Sequence, residues 1–505
     1  MKKCFLLFAG ALVMAPAGCA AEAPGPGPAL TLEQSLAGSA PFRRLFLDAM
    51  VVEESRGLQR VFHAPRKHPA NPVLPRTYEW EGWGPYLYGT VMWDGGKLRM
   101  WYNCLTDVEG SGLHTMACYA ESPDGIKWER PRLGLVDWKG SKANNIVGDN
   151  TCSVSSVIKN LSPSPGREYA MYGFGRQSGP SVGFSSDGLK FNWDASPEKS
   201  QLFKSSDVTN FFYNPYTKLY TSTWKTASRR HRAAGIAVSQ DGIKWRKPVE
   251  TAVFVADDLD PDATQVYGMP VFPYQGMYIG LPWMYHSRYL KYGPYSANRM
   301  NEAQIGSDCT VDVQMAWSWD LINWTRPRDR EPFIALGEKG SFDSGMIFTA
   351  RAPVIVGDEL YFYYGGFDQV HDDYKGIKAE IGLATMRLDG FCSMRAGATE
   401  GSFISRREVF RTPRVTVNAV TQPGGYVTAE LLDRDNNVLK GFAREDCVPF
   451  AGDSVRGQIA WKTKAFPGGM LEGDKKVRFF LKNADLYSYL PADINTELDK
   501  GAPDL

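Results

Sequence analysis

A short phrase recurs along this chain and limits its fold more than any other feature. It reads Ser122-Pro-Asp-Gly-Ile-Lys-Trp128, Ser185-Ser-Asp-Gly-Leu-Lys-Phe191, Ser239-Gln-Asp-Gly-Ile-Lys-Trp245 and Ser318-Trp-Asp-Leu-Ile-Asn-Trp324, with a degenerate copy at Leu388-Asp-Gly-Phe391. The anchoring aspartates Asp124, Asp187, Asp241, Asp320 and Asp389 lie 63, 54, 79 and 69 residues apart. A unit of that length holds four short strands, and such recurrence is the signature of a β-propeller. The phrase has a physical reason. Asp-Gly supplies a tight turn with a positive φ, and the aromatic residue four places after the aspartate returns to pack between sheets. Five copies predict five blades, with a binding site at the mouth of the central channel.

Each repeat also carries a recognisable middle strand: Lys97-Leu-Arg-Met-Trp-Tyr102, Glu168-Tyr-Ala-Met-Tyr172, Lys218-Leu-Tyr-Thr-Ser222, Gly276-Met-Tyr-Ile-Gly280 and Glu359-Leu-Tyr-Phe-Tyr-Tyr364. After about residue 403 the pattern changes. Arg414-Val-Thr-Val-Asn-Ala-Val420, Tyr426-Val-Thr-Ala-Glu-Leu-Leu432, Arg456-Gly-Gln-Ile-Ala-Trp461 and Val477-Arg-Phe-Phe-Leu481 alternate or run apolar like sandwich strands. The expected fold is all-β: a five-bladed β-propeller over 76–403, followed by a β-sandwich over 404–505. The sandwich resembles a carbohydrate-binding module and is expected to cap the propeller rather than bind sugar by itself.

Composition agrees with many short strands and tight turns: 13% aromatic residues, 50 Gly and 32 Pro in 505 residues. A net charge of +1 with 22% charged residues favours neither nucleic acid nor an anionic membrane surface. Residues 1–21 read as an export signal, with Lys2 and Lys3 ahead of an apolar run from Cys4 to Ala17. Ala17-Gly18-Cys19 resembles the box at which bacterial lipoproteins are cleaved and lipidated, here on Cys19, although Pro16 stands where that box usually has Leu. Ordinary cleavage near Ala21 or Ala23 is the competing reading. Residues 22–75 then form a Pro-Gly tether and a lead-in segment. The expected place is the bacterial cell envelope by lipid anchor, otherwise the periplasm or the medium.

Of the cysteines beyond Cys19, none shows a CxxC spacing for zinc or redox chemistry. Cys104 and Cys118 flank a loop and could meet across neighbouring strands, as a disulfide or as two buried thiols.

Five blades, export and a trailing sandwich together resemble the five-bladed propeller glycoside hydrolases, the group of invertases, arabinanases and β-xylosidases. The resemblance covers roughly residues 76–495 and lies in architecture and turn phrases. It implies a carbohydrate substrate and acidic residues on innermost strands pointing into a funnel. The invertase motifs are absent: Arg328-Asp329 is followed by Arg330, and Glu445-Asp-Cys447 lies in the sandwich region. Site residues must therefore come from position.

Glycoside hydrolysis needs a proton donor and a second carboxylate as base or nucleophile. Glu79-Trp80-Glu81-Gly-Trp83 at the first blade interleaves two carboxylates with tryptophans suited to stacking on sugars. Strand alternation would put Glu79 and Glu81 on one side. The alternative is an entry loop whose tryptophans plug the propeller floor. Asp207 heads an apolar strand of the third blade, where a buried charge is costly unless used or paired. Asp343 opens the fifth blade, with Arg351 further along to help hold a hydroxyl or carboxylate, or to form a structural salt bridge with it. Tyr267 on the fourth blade and His371 on the fifth complete the expected substrate-binding set with Glu79, Trp80, Trp83 and Arg351. Glu81, Asp207 and Asp343 are the expected catalytic acids, facing one another across the funnel.

The acidic run Asp257-Asp-Leu-Asp-Pro-Asp262 reads as a solvated loop, with a structural Ca²⁺ site as the minority reading and no other cofactor expected. Arg229-Arg-His-Arg232 is a basic cluster that would favour an anionic sugar if it overhangs the funnel. The expected function is an exported glycoside hydrolase acting on a glycan. The alternative is a non-catalytic carbohydrate-binding or surface-adhesion propeller.

Overall fold

A computed structural model of the chain describes residues 42–491, apart from 109–111, 150–152, 161–162, 176–178, 194–201, 229–230, 262, 288–308, 372, 374, 411–413 and 463–474. Cys19, the expected signal segment, Asp262, Cys152 and part of the basic cluster lie outside the described residues.

Small antiparallel sheets follow one another along the chain, in the order the repeats predict. The first repeat pairs Pro85–Asp94, Lys97–Val108, Gly112–Ser122 and Ile146–Asp149. The second pairs Ser153–Lys159, Tyr169–Gly175 and Gly179–Ser185, and the third Thr209–Asn214, Leu219–Ala227, Arg232–Ser239 and Trp245–Arg246. In the fourth, Val271–Tyr274, Met277–Gly280, Ala316–Ser318 and Trp324–Thr325 make a separate four-stranded sheet.

The expectation of five separate four-stranded blades needs correction. Four sheets are separate, one of them three-stranded, and the fifth repeat does not stand alone. Its strands Met346–Thr349, Val354–Val356, Glu359–Phe367 and Ala379–Arg387 belong to an eight-stranded sheet with Thr264–Gly268, Trp283–His286 and Val311–Val313 of the fourth repeat. The join is a single parallel register, Val311 opposite Met346. Val311–Val313 leads into Ala316–Ser318, the third strand of the fourth repeat, and its start lies beside the first strand of the fifth. Arg66–Lys67 supplies the eighth strand, so chain from before the first blade closes the last.

The recurring phrase builds the same turn four times. In the first copy Asp124 Oδ1 accepts the amides of Ile126 and Lys127 at 2.9 and 2.8 Å, and Ser122 Oγ accepts the amide of Gly125 at 2.8 Å. Asp187, Asp241 and Asp320 repeat this with their own following amides. The aromatic folds back, as Trp128 Nε1 donates to Gly125 O at 3.1 Å. Gly125 sits at φ +79°, where glycine carries no steric penalty.

These turns also clasp neighbours. The Tyr363 hydroxyl donates to Gly125 O at 2.7 Å, Trp101 Nε1 to Gly188 O at 2.7 Å, and the Tyr172 hydroxyl to Gly242 O at 3.1 Å. Each clasp runs from one repeat to the next, and the first joins repeat five to repeat one, closing the ring. The degenerate copy differs. Asp389 is buried and bonded to Arg43, Tyr274 and Ser488, tying the lead-in segment and the C-terminal sheet to the propeller.

That C-terminal sheet has nine strands, with Arg414–Leu432 and Lys476–Leu490 paired along their lengths at its centre. Register shifts at Asn418/Ala419 and Thr421/Tyr426 mark bulges, which bend strands. Arg44–Leu45, Val52–Arg56 and Gln59–Phe62 complete it, a role that the lead-in's sequence did not disclose. Phe46, Phe403, Phe479 and Tyr489 pack in its core, beside the fully buried Glu408, which is bonded to Arg44. Cys104, Cys118, Cys309, Cys392 and Cys447 are buried free thiols, so the first pair takes the thiol alternative.

Candidate active site at the mouth of the propeller

The hairpin that joins Leu219–Ala227 to Arg232–Ser239 lies at the end of the third blade opposite the Asp241 turn. Asp207, just ahead of Thr209–Asn214, reaches this end and forms an ion pair with Lys225. The carboxylate side chain is 58% exposed and the lysine side chain 6%. Surrounding protein penalises the charge on Asp207, and Lys225 outweighs that penalty, so its pKa is lowered. Burial pulls the Lys225 pKa down, Asp207 opposes that shift, and nearby Arg232 adds to it. Asp207 is thus an ionised carboxylate, open to solvent and held in place by a buried cation.

Residues from three other repeats meet this pair. The Lys225 ammonium lies 4.6 Å from the centre of the Tyr267 ring, and the Arg232 guanidinium 5.7 Å from Tyr267 and 5.3 Å from Tyr285. His371 packs on both rings, at 5.3 Å from Tyr267 and 4.8 Å from Tyr285. Tyr88 of the first repeat, half-buried, packs against Tyr267 and feels the charge of Asp207, and its pKa is raised well above that of a free tyrosine, mainly by desolvation. Tyr88 also stacks on Trp283 at 5.0 Å. Side chains from repeats one, three, four and five converge only where innermost strands meet. This is the mouth of the channel, walled by aromatic rings and set, among the described residues, with the Asp207 carboxylate and the cations Lys225 and Arg232.

Of the expected site residues, the structure brings together Asp207, Tyr267 and His371. Glu79 and Glu81 need correction. They lie in a 3₁₀ turn, Glu79–Glu81, rather than on a strand, so alternation does not apply. Glu79 points outward and pairs with Lys139, both exposed. Glu81 is fully buried, forms an ion pair with Arg130 at 2.8 Å and accepts from the Thr77 and Tyr78 amides at 2.7 and 2.9 Å. Trp80 stacks on Tyr78 at 4.4 Å and donates to Asn145, while Trp83 packs beside the main core.

Asp343 is buried and bonded to Lys67 at 2.6 Å, Ser341 at 2.8 Å and Tyr364 at 2.9 Å, fastening the closing strand. It does not pair with Arg351, and neither Glu81 nor Asp343 shares a partner with Asp207. The expected triad of facing acids therefore resolves into three separately bonded carboxylates. Sequence reasoning missed Tyr88, Lys225 and Tyr285, which carry no motif.

Elsewhere, Asp257 and Asp260 are bridged by Arg326 and Arg330, so guanidinium groups occupy the place a Ca²⁺ would take. Asp312 Oδ2 meets His286 Nε2 at 2.7 Å. Burial opposes charge on that imidazole, Asp312 and Asp260 favour it, and the net pKa is raised. A crevice of about 530 Å³ opens between the fifth repeat and the C-terminal sheet, beside His63, Arg66 and Tyr487. Two ion pairs span this seam between the fifth repeat and the C-terminal sheet, Arg387 with Asp453 inside the crevice and Asp358 of its lining with Arg456.

No known family profile and no curated protein matches the chain. Solved structures do. One is a glycosyl hydrolase from Bacteroides ovatus, 16% identical over 65% of this chain and 94% of that chain, with a TM-score of 0.43. Another is described as "The GH130 family of mannoside phosphorylases contains glycoside hydrolases that target beta-1,2 mannosidic linkages in Candida mannan", 18% identical over 65% and 94%, with a TM-score of 0.40. A third, described as a glycoside hydrolase, is 15% identical over 66% and 92%, with a TM-score of 0.39. Over about two thirds of its length the chain is similar in fold to these solved structures.

Proposed function

We propose that this chain is a glycoside hydrolase that binds a glycan at the propeller mouth and uses Asp207 as its ionised carboxylate. The observation that carries the reading is the convergence of Asp207 and Lys225 of the third repeat with Tyr267 of the fourth and His371 of the fifth. Exposed aromatic faces stack on sugar rings. A carboxylate whose pKa is lowered suits the base or nucleophile role rather than the acid role. Export through the N-terminal signal, with Cys19 as lipid attachment, places that activity outside the cytoplasm. Cys19→Ala is expected to move the protein from the membrane fraction to the soluble one.

The second reading is a non-catalytic carbohydrate-binding propeller. It is favoured by the separate bonding of Glu81, Asp207 and Asp343. Incubating the purified protein with a glycan panel, then assaying new reducing ends and bound sugar, separates the two. Release of reducing ends supports hydrolysis. Glycans that are retained and recovered intact support binding alone.

A further inference from the structure

Buried arginines in this molecule have carboxylates to answer them. Arg44 meets Glu408, Arg99 meets Asp94 and Arg326 meets Asp260. Arg351 does not. It lies between Met346–Thr349 and Val354–Val356 on the innermost line of the fifth repeat, and its amide donates to Gly89 O of the first repeat at 3.1 Å. The residue is 8% exposed, its Nε is buried without an acceptor, and no carboxylate pairs with it among the described residues. Burial alone lowers its pKa to about 10. An uncompensated buried cation opposes folding, and an unpaired buried polar group calls for a partner, whether a water, an ion or a ligand group.

A second cation on the same wall is also unanswered. Arg232 contacts Gln265 Oε1 at 3.3 Å and the rings of Tyr267 and Tyr285, with no carboxylate partner among the described residues. The two arginines belong to one continuous wall. Phe348, three residues before Arg351, packs on Tyr267 at 5.2 Å and on Tyr88 at 5.3 Å, and Tyr88 precedes the glycine that accepts the Arg351 amide. Along it, Lys225 is neutralised by Asp207, while Arg232 and Arg351 keep their charges. In a concave, low-dielectric site such an excess draws in anions.

We infer that the channel wall is a binding site for an anionic group, anchored by the Arg351 guanidinium with Arg232 nearer the mouth. The ligand is a carboxylate or sulfate on an acidic glycan, or a free oxyanion of the same chemistry, since a guanidinium grips either through paired charge-assisted hydrogen bonds. The inference uses the funnel assigned above but not its chemistry, and holds equally for a binding protein.

The test is thermal unfolding and calorimetric titration of the full chain at low ionic strength. The probes are oligogalacturonide, a sulfated oligosaccharide, a neutral oligosaccharide of equal length, and inorganic phosphate. The wild type is expected to melt higher with at least one anionic probe and not with the neutral one. A response to phosphate equal to that of the acidic glycans identifies a free oxyanion, and a response to the glycans alone identifies the glycan's own charge. Arg351→Met is expected to melt at or above the wild type without ligand, because a lone buried charge is gone, and to bind the anion at least about tenfold more weakly. Arg232→Gln is expected to weaken binding by a smaller factor. A wild type that responds to none of the anionic probes overturns the inference, even if Arg351→Met fails to fold. So does an Arg351→Met variant that binds anions as the wild type does. If anions bind and no glycan is cleaved, the inference stands while the hydrolase reading fails.

Discussion

The two ends of the propeller are built on opposite plans. At one end, four Asp-containing turns repeat a single set of bonds, each aspartate capping amides two and three residues ahead of itself. At the other, Asp207, Lys225, Tyr267, Tyr285 and His371 come from three repeats and obey no common rule. The repeated end satisfies its own polar groups locally. The irregular end leaves a carboxylate 58% exposed and, among the described residues, cations without carboxylate partners. Repetition serves stability, and departure from it marks the surface where a ligand is met.

That contrast can be broken by moving the same kind of substitution between regions. The largest stability effect is expected at Glu81, which is fully buried and paired with the buried Arg130. Glu81→Gln leaves the arginine uncompensated and should cost about 3–5 kcal/mol in chemical unfolding. Gly125→Ala comes next. A Cβ there would overlap the Tyr363 hydroxyl and approach Leu98 Cδ1 to 2.8 Å, at a φ of +79°. A loss of about 2–4 kcal/mol is expected, with weakened closure of the ring.

Asp124→Ala removes one turn cap and should cost about 1 kcal/mol. Asp124 also gives the contrast a pH signature. Its pKa is lowered, first by the Lys127 amide. The stability it adds is present above the unfolded carboxylate pKa and is lost as pH falls through the lower folded value. Wild type should therefore lose stability in acid more steeply than Asp124→Ala. In the funnel the expected effect is on titration rather than stability. Lys225→Met should raise the pKa of Asp207 and move the acid limb of the activity profile to higher pH, with unfolding nearly unchanged.

The repeated end was legible because its chemistry is local. Asp, Gly and the returning aromatic lie within five residues in three copies, and the bonds they make lie within the same stretch. The funnel was legible only in part. Asp207 drew notice as a charge heading an apolar strand, but Lys225 is one ordinary lysine in a middle strand, and only the pairing of strands brings the two together. Glu79-Trp-Glu81 misled because three residues cannot distinguish a strand from a 3₁₀ turn, and the partner of Glu81, Arg130, lies far along the chain. The joined fourth and fifth repeats rest on one parallel contact that no turn phrase encodes.

The central claim is that chemistry belongs to the exposed carboxylate at the irregular end and not to the buried ones. Turnover by Asp207→Asn, Glu81→Gln and Asp343→Asn, measured on one glycan that the wild type cleaves and normalised to folded protein, tests it most directly. Asp207→Asn is expected to lose about 10²–10⁴-fold in rate while melting close to the wild type, with the folded fractions of the other two retaining turnover. An Asp207→Asn variant that keeps wild-type turnover, while Glu81→Gln or Asp343→Asn loses it, would contradict the account.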